Sequence, residues 1–260
     1  MREDLASAIK AGLRSHRFGQ RLHVYPQVGS TNDEAATLAA QGAAEGTAVL
    51  AVEQTGARGR RQRAWLSPAG GLWLSVVLRP ALPADQWPLV GFAAGVGAAG
   101  AVEEIAHVRV GLKWPNDLML GEQKLGGVLT ESRGPVVIAG IGVNANIALD
   151  HFPSDLRPIA TSLLDVLKHP VDLAALARAL LEQFERVYDL LALHAEDVLA
   201  GWRERDLTRG RQVRLSGAQE LEGVAEGVDR TGALLVRTGT GIRRIVAGEV
   251  SLRSVSVQPP

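Results

Sequence analysis

The sequence predicts an α/β domain followed by a small β-barrel, and three observations support this prediction. The segment 85–105 has the pattern of a long helix that is apolar on most faces and therefore buried, and apolar residues recur at helical spacing over 171–195. Short runs of apolar and β-branched residues lie between them, as expected of buried strands. Over 211–256 the pattern changes to brief alternating strands joined by hairpin-type turns. We therefore expect a domain boundary near 206–210.

The individual elements follow from the same periodicities and from capping and turn signals. Thr31 and Glu34 have the spacing of a capping box at the start of a helix, and Gly42 can end that helix. The other predicted helices cover 4–13, 85–105 and 171–195. The predicted strands of the larger domain cover 22–25, 47–54, 72–80, 107–114, 124–132 and 136–144.

Composition and charge exclude several classes of protein. The 28 basic and 28 acidic residues cancel, so no overall field attracts the chain to DNA or to a membrane surface. Without cysteine there is no disulfide framework, thiol nucleophile or cysteine-based metal site. The N-terminal segment lacks the long apolar core of a secretory signal, and the apolar run 89–102 is too short to cross a bilayer. We expect a soluble, cytoplasmic protein.

The segment TGARGRRQRAW, residues 55–65 and here termed the arginine loop, carries four arginines within six positions. It lies between two predicted strands. Each arginine offers a charged fork that binds carboxylate or phosphate through two hydrogen bonds. Gly56 and Gly59 give the backbone freedom to close over a ligand, and Trp65 can stack on a nucleobase. A solvated surface loop explains the same composition, so both interpretations stay open at this point.

The segments LKWPNDLML and QKLGGVL carry a second group of candidates. Asn116 and Asp117 are good turn residues, but an amide and a carboxylate at a strand end can also bind Mg²⁺, which completes its shell with phosphate and water. Lys124 lies one hairpin turn away, where its ammonium group would neutralise charge on a metal-bound phosphate. Gly126 and Gly127 remove side chains where a ligand or another backbone approaches. A plain turn and a surface lysine are the structural alternatives.

Polar residues also gather in GSTNDEA, at the start of the second helix. Ser30, Thr31 and Asn32 offer donors and acceptors side by side, which suits a small neutral group such as an amide or urea. A capping role explains the same residues without any ligand. Asn144 ends a very apolar strand, so we expect it to face either a site or a turn.

Taken together and in this order, these segments resemble those of the bacterial biotin–protein ligases (biotin–[acetyl-CoA-carboxylase] ligases). The matching motifs, STND, EQTGARGRRQRAW, GLWLSV, KWPNDL, KLGGVL and GIGVNAN, extend over 29–146, and ATSL with the following helix also fits. The resemblance implies an α+β fold. Residues 1–208 would form an α/β-type, class II synthetase-like catalytic domain with a mixed, largely antiparallel sheet flanked by helices. Residues 209–260 would form an SH3-like β-barrel.

The resemblance also implies a two-step reaction. Biotin and ATP give biotinyl-5′-AMP and pyrophosphate, and a lysine of a biotin carboxyl carrier domain of acetyl-CoA carboxylase then takes the biotinyl group. The implied biotin-binding residues are Ser30, Thr31, Asn32, Gln54, Arg58, Gly59, Arg60 and Lys124. The implied ATP- and adenylate-binding residues are Trp65, Asn116, Asp117, Lys124 and Asn144, with Asn116 and Asp117 at a Mg²⁺ site. The implied catalytic residues are Lys124, Arg58 and Arg60, and Arg63 is a further candidate.

The sequence departs from the family pattern in two respects. The family's loop is commonly GRGRRG, whereas Ala57 and Gln62 occupy its outer glycine positions here. Because alanine does not readily adopt positive φ, we expect a stiffer loop or altered closure. About twenty residues precede the catalytic region, too few for the winged-helix domain of repressor-type members. We therefore expect a monofunctional ligase that binds neither operator DNA nor a membrane; a homodimer is compatible with the sequence.

Two alternatives stay open. A lipoate–protein ligase would share the fold, the adenylate chemistry and the lysine, but its substrate lacks the ureido ring that residues 30–32 and Gln54 would bind. A non-catalytic RNA- or single-strand-binding module could use the arginine loop, Trp65 and the C-terminal strands, although the neutral net charge counts against it. Isotope exchange between pyrophosphate and ATP that requires biotin would separate all three.

Overall fold

The computed structural model describes residues 2–216 and 220–252, which form two β-sheets and five α-helices. The helices are α1 (Arg2–Lys10), α2 (Thr31–Ala40), α3 (Pro88–Ala106), α4 (Leu163–Leu167) and α5 (Leu173–Arg203). The larger sheet contains β1 (Leu22–Val28), β2 (Ala48–Gln54), β3 (Leu72–Leu78), β4 (Gly111–Lys113), β5 (Asp117–Leu120), β6 (Gln123–Arg133) and β7 (Val136–Val143). The smaller sheet contains β8 (Gln212–Ser216), β9 (Leu221–Val228), β10 (Leu234–Thr238), β11 (Gly241–Ile245) and β12 (Glu249–Leu252).

The larger sheet has the strand order β1-β2-β3-β7-β6-β5-β4. Strands β1 and β2 run parallel, and the other neighbouring pairs in this sheet are antiparallel. Helix α2 packs on one face, while α3 and α5 pack against each other on the opposite face, where the main core lies. The predicted α+β fold, with a mixed and largely antiparallel sheet flanked by helices, is confirmed.

Alternation along the central strands decides which face holds the core. In β3, the even-numbered residues of 72–78 belong to the core with α3 and α5, whereas Ser75 faces α2. In β7, the odd-numbered residues of 137–143 belong to that core, and Gly140 lies against the start of α2. At Ser75, Gly140 and Gly142 the α2 face carries smaller residues than the apolar ones on the other face of the same strands, while Trp73 and Ile138 fill other parts of it. This difference leaves room for a cleft.

Several predicted elements need correction. The strand expected at 107–114 is confined to β4, because His107 ends α3 in the left-handed conformation and residues 108–110 only connect the two elements. Strand β5 was not predicted; it begins at Asp117, directly after a turn that contains the cis Trp114–Pro115 bond. Helix α5 extends to Arg203, beyond the predicted end, and the short α4 is an additional element.

The apolar helix predicted to lie in the core does so. Among the described residues, the stretch 84–106 is the one helix long and apolar enough to cross a membrane, judged by length and composition. However, 67% of its most apolar window is buried inside the protein. A side chain at Gly97 would collide with the backbone of Phe184 in α5. Gly97 therefore allows α3 and α5 to pack closely.

The smaller sheet has the order β11-β10-β9-β8-β12, and its described strands pair antiparallel. The two predicted hairpin turns, DRTG and GTG, lie between β9 and β10 and between β10 and β11. The final predicted strand, 243–253, is divided between β11 and β12, and residues 253–256 lie outside the described residues. Closure into an SH3-like barrel and a domain boundary at 208/209 stay predictions.

Candidate active site

A cleft opens on the α2 face of the larger sheet, and its empty volume, open solvent included, is about 490 Å³. Residues 127–129 of β6 and 140–142 of β7 line it, together with the start of α2 and part of the arginine loop. The predicted site residues that line this cleft are Ser30, Thr31, Asn32, Gln54, Arg58, Trp65, Asn116 and Lys124. The fold thus brings together residues from distant parts of the sequence.

The start of α2 forms a neutral polar pocket in which the side chains hold one another in place. The backbone N–H and the hydroxyl of Thr31 both donate to Gln54 Oε1, at 2.8 and 3.0 Å. Gln54 Nε2 donates to Ser67 Oγ at 3.0 Å. The Ser75 hydroxyl lies 2.7 Å from both Thr31 Oγ1 and Asn32 Oδ1. Thr31, Asn32 and Gln54 line the cleft, and their binding of a ligand stays a prediction.

The same geometry shows that the predicted capping box is wrong. Ser30, not Thr31, is the N-cap residue of α2, with φ −154° and ψ 133°, and its side chain makes no capping hydrogen bond. The Thr31 hydroxyl is directed to Gln54 instead of to the backbone of Glu34. The polar residues at this helix start therefore serve the cleft wall rather than the helix end.

The arginine loop adopts a compact, ordered conformation beside the cleft. Arg58 and Ala64 form an isolated antiparallel bridge across it. Arg61 and Gln62 have left-handed φ values of 56° and 61°. Gln62 therefore takes a conformation that favours glycine, which occupies this position in the family's loop. Ala57 is not among the residues with positive φ, so the strain expected at Ala57 does not arise.

Arg58 is directed towards two carboxylates. Its Nη1 donates to Asp33 Oδ2 at 2.7 Å and its Nη2 to Asp33 Oδ1 at 2.5 Å. Its Nη2 also lies 3.3 Å from Glu131 Oε1. The hydrogen bonds to Asp33 are the main cause that raises the pKa of Arg58, and they lower the pKa of Asp33. Both groups are therefore ionised at neutral pH.

Lys124 extends into the cleft beside Asp117 and Trp65. Its Nζ is 2.5 Å from Asp117 Oδ1 and 5.0 Å from the centre of the Trp65 ring. Strands β5 and β6 are antiparallel neighbours, so the predicted proximity of Lys124 to the Asn116–Asp117 pair is confirmed. The Lys124 carbonyl accepts a hydrogen bond from the Thr161 N–H at 2.9 Å, which fixes the backbone that carries the ammonium group.

Other implied site residues do not line the cleft. Asn144 is 2% exposed, and its side-chain amide donates to the Thr161 carbonyl at 3.0 Å. Arg60 donates to the Gly248 carbonyl at 3.1 Å, next to the smaller sheet. Among the described residues, the implied site residues that do not line the cleft are Gly59, Arg60, Arg63, Asp117 and Asn144.

The Asn116–Asp117 pair is the candidate Mg²⁺ site. Asn116 donates its side-chain N–H to the Val128 carbonyl at 2.6 Å, which ties the turn to β6. Asp117 offers one carboxylate, of which one oxygen already binds Lys124. Within residues 2–216 and 220–252, no group of three or more His, Asp or Glu side chains is arranged to hold a metal. This donor set fits an ion that brings most of its ligands with it, as phosphate-bound Mg²⁺ does.

Sequence reasoning missed four residues of this network. Ser75 carried a usable signal, because it is the one polar residue of LWLSVVL and it is fully buried. A buried polar side chain in an apolar strand is more informative than an exposed one. The others have no comparable pattern in the sequence; they are Asp33, Ser67 and Glu131.

Known proteins of similar sequence identify the family of this chain. The model of the Biotin/lipoate A/B protein ligase family matches residues 24–147, and that of the Biotin protein ligase C terminal domain matches 208–253. The bifunctional ligase/repressor BirA of Bacillus subtilis is 36% identical over 95% of this chain and 78% of its own length. The biotin–[acetyl-CoA-carboxylase] ligase of Mycobacterium tuberculosis is 35% identical over 89% of this chain and 88% of its own length.

Solved structures lead to the same class. The biotin protein ligase from Aquifex aeolicus, in complex with biotin and ATP, matches with a TM-score of 0.80 at 31% identity, covering 90% of this chain and 99% of that one. The biotin protein ligase from Leishmania major, in complex with biotinyl-5-AMP, matches with a TM-score of 0.62 at 27% identity, covering 88% and 99%. The fold is that of a biotin protein ligase. The chain belongs to the Biotin/lipoate A/B protein ligase family, and to its biotin protein ligases.

Proposed function

We propose that this protein joins biotin to a lysine of a carrier protein in two steps, with biotinyl-5′-AMP as the intermediate. The observation that carries the proposal is that one cleft holds both a neutral polar pocket, at residues 31–32 and Gln54, and the ammonium group of Lys124. Paired donors and acceptors suit the ureido ring of biotin, and a cation suits its carboxylate. The relatives named as biotin ligases support the same substrate.

In the first step, a biotin carboxylate oxygen attacks the α-phosphorus of ATP. A new P–O bond forms, and pyrophosphate leaves with the electrons of the bond that breaks. Two anions must approach each other, so cations have to offset their repulsion. Lys124 is bound to a single carboxylate, that of Asp117, and is the proposed contact for both the biotin carboxylate and the α-phosphate. Arg60, on the arginine loop, is the proposed second cation.

The nucleotide would occupy the region of Trp65 and the backbone of Lys124. Stacking of adenine on Trp65 would contribute roughly 1–3 kcal/mol. Seven buried side-chain polar atoms lack a hydrogen-bond partner in the described part of the chain, and three of them lie in this region: Trp65 Nε1, Asn144 Oδ1 and Thr161 Oγ1. Buried polar atoms normally have partners, so we propose that the bound nucleotide supplies some of them. Mg²⁺ would arrive with ATP and contact the Asn116–Asp117 pair.

In the second step, the amine of an acceptor lysine attacks the carbonyl carbon of biotinyl-5′-AMP. AMP leaves, and the amine loses one proton as the amide forms. The proposed acceptor is the biotin carboxyl carrier domain of acetyl-CoA carboxylase. This carboxylase appears in the names of the relatives from Mycobacterium tuberculosis and Paracoccus denitrificans. We propose that the reaction takes place in the cytoplasm.

The two alternatives are less well supported. The dithiolane ring of lipoate has no groups that would pair with the hydrogen-bonding network of Thr31 and Gln54, which favours biotin. A nucleic-acid-binding role needs arginines that are available to phosphates. Here Arg58 binds Asp33 and Glu131, so its charge is already balanced.

Isotope exchange between labelled pyrophosphate and ATP tests the first step. We expect exchange that requires biotin and that lipoate does not support at the same concentration. Mass spectrometry of an added carrier domain should then show one biotinyl group on its lysine. Exchange supported by lipoate alone would transfer the assignment to the alternative ligase. The absence of exchange with either acid would contradict the proposal.

The absence of repressor activity stays a prediction, and a homodimer stays compatible with the sequence. The relative from Bacillus subtilis is named as both ligase and repressor, so operator binding needs a direct test. A salt-resistant, sequence-specific gel shift with the DNA upstream of biotin-synthesis genes would contradict the expectation of a monofunctional ligase. Sedimentation with and without biotin and ATP would determine the oligomeric state.

A further inference from the structure

The arginine loop is fastened to the rest of the protein by two carboxylates that the proposed chemistry does not use. Asp33, in the first turn of α2, accepts hydrogen bonds from both Nη atoms of Arg58 in a bidentate arrangement. Glu131, near the end of β6, lies against the same guanidinium group. The side chains of Arg58 and Glu131 are 19% and 14% exposed, so this pairing is more sheltered than an ordinary surface ion pair.

Glu131 connects this fastening to the polar pocket at the start of α2. Its Oε2 accepts a hydrogen bond from Asn32 Nδ2 at 2.7 Å, and Asn32 Oδ1 lies 2.7 Å from the Ser75 hydroxyl. Arg133 contacts Glu131 Oε1 at 3.2 Å, so two arginines balance the two carboxylates of this group. A continuous chain of hydrogen bonds therefore runs from the arginine loop to the residues proposed to bind the ureido ring.

The charges of this group indicate what Arg58 does. If Arg58 left Asp33 and Glu131 to bind a phosphate, these two carboxylates would be left with one arginine, Arg133, close to the negative charge of the substrate. The Glu131 side chain is 14% exposed, so weakening its pairing is costly because its charge stays desolvated; the Asp33 side chain is 53% exposed and meets a smaller cost. Arg58 meets no such cost when it stays paired with these carboxylates and holds the loop in place. Arg58 is therefore better suited to anchor the loop than to contact the α-phosphate.

We propose that Asp33 and Glu131 are positioning residues that hold the arginine loop beside the cleft through Arg58, and thereby set how long the adenylate stays bound. The inference rests on the proposed function, since biotinyl-5′-AMP is the ligand whose release it concerns. The side-chain oxygens of Asp33 bind Arg58, so Asp33 acts on the loop. Glu131 also binds Asn32, so it acts on the loop and on the biotin pocket together.

The decisive comparison is between Asp33→Asn and Glu34→Gln. Both substitutions remove one negative charge from the first turn of α2 and weaken its interaction with the helix dipole to a similar degree. Only the first removes a charge paired with Arg58. Each variant is loaded with biotinyl-5′-AMP, and its release is followed by stopped-flow tryptophan fluorescence. We expect release from Asp33→Asn to be roughly fivefold faster or more, and release from Glu34→Gln to stay within about twofold of the unchanged protein.

Two further variants distinguish loss of the ion pair that holds the arginine loop from a general destabilisation of α2. Glu131→Gln should speed release and also raise KM for biotin, because Asn32 loses its charged acceptor. Asp33→Asn should change release far more than KM for biotin. The double variant Asp33→Arg with Arg58→Asp should release the adenylate more slowly than Asp33→Arg alone, because it restores the ion pair with the charges exchanged.

Equal release rates for Asp33→Asn and Glu34→Gln would overturn the inference, as would a charge-exchanged pair that releases no more slowly than Asp33→Arg alone. If Asp33→Asn does not fold, Arg58→Gln removes the same pair from the loop side and should give the same faster release. Failure of the unchanged protein to catalyse biotin-dependent pyrophosphate exchange would contradict the proposed function instead. Normal exchange with unaltered release in these variants would contradict the inference alone.

Discussion

Lys124 is the single residue on which the proposed chemistry depends most, because its ammonium group lines the cleft beside one carboxylate and one aromatic ring. Lys124→Ala removes this cation while the backbone contact with Thr161 can persist. We expect a loss of roughly 3 kcal/mol of transition-state stabilisation, on the order of 100-fold in rate. Single-turnover formation of biotinyl-5′-AMP at saturating biotin and ATP measures this loss.

Lys10→Ala is the matched control, since Lys10 is exposed in the last turn of α1 and does not line the cleft. It should form the adenylate at the rate of the unchanged protein. An equally fast reaction in Lys124→Ala would refute the role assigned to this ammonium group.

Residues could be predicted from the sequence where their partners are close along the chain. Lys124 and Asp117 lie on two strands joined by a short hairpin, so spacing alone placed them together. Thr31 was misassigned to a local capping box because its actual partner, Gln54, lies on a separate strand. The pairing of Asp33 with Arg58 has no local signal, since it depends on how α2 and the arginine loop meet in three dimensions.

At the level of secondary-structure elements, the glycines of β7 are what allow the start of α2 to reach the sheet. A side chain at Gly140 would collide with Asn32 Oδ1, and one at Gly142 would meet the ring nitrogen of Trp65 at 3.1 Å. Gly140→Ala should therefore displace Asn32 and weaken biotin binding by roughly tenfold, as expected for overpacking of a tight contact. Calorimetric titration with biotin alone measures the effect.

Gly239→Ala is a suitable control, because a methyl group at residue 239 meets no atom within 4 Å. It lies in the turn between β10 and β11, and its biotin affinity should be unchanged. Unaltered affinity in Gly140→Ala would show that biotin binding does not need Asn32 in its present position.

The long apolar runs that form β3 and α3 could be predicted from the sequence, whereas the strand order could not. Strand β5 was missed because Asn116 and Asp117 have the chemistry of a turn. Asp117 nevertheless begins a strand, since pairing with β4 on one side and β6 on the other outweighs its local preference. The pairing of β3 with β7, which places Ser75 opposite Gly140, joins segments that no local pattern connects.

Over the whole molecule, the smaller sheet contacts the larger domain through the motif that also contains the Asn116–Asp117 pair. Trp114 is 2% exposed, and its ring N–H donates to the Gly232 carbonyl at 3.0 Å. Its backbone N–H donates to the Thr208 hydroxyl at 3.0 Å. These partners lie 118 and 94 residues further along the chain, so the sequence gives no indication of them. The smaller sheet is thus built onto the turn proposed to meet the nucleotide.

This contact predicts that the smaller sheet supports nucleotide binding. Trp114→Phe keeps an aromatic ring but removes the donor to the buried Gly232 carbonyl, which should lower the free energy of unfolding by roughly 1–3 kcal/mol. Because the Asn116–Asp117 pair lies two residues after Trp114 in the chain, KM for ATP should rise more than KM for biotin.

In the control Trp87→Phe, the lost hydrogen bond is local, to a carbonyl five residues earlier, so stability should fall while the ratio of the two KM values stays constant. Urea unfolding and exchange kinetics measure both quantities; equal changes of the two KM values in Trp114→Phe would limit the smaller sheet to a stabilising role.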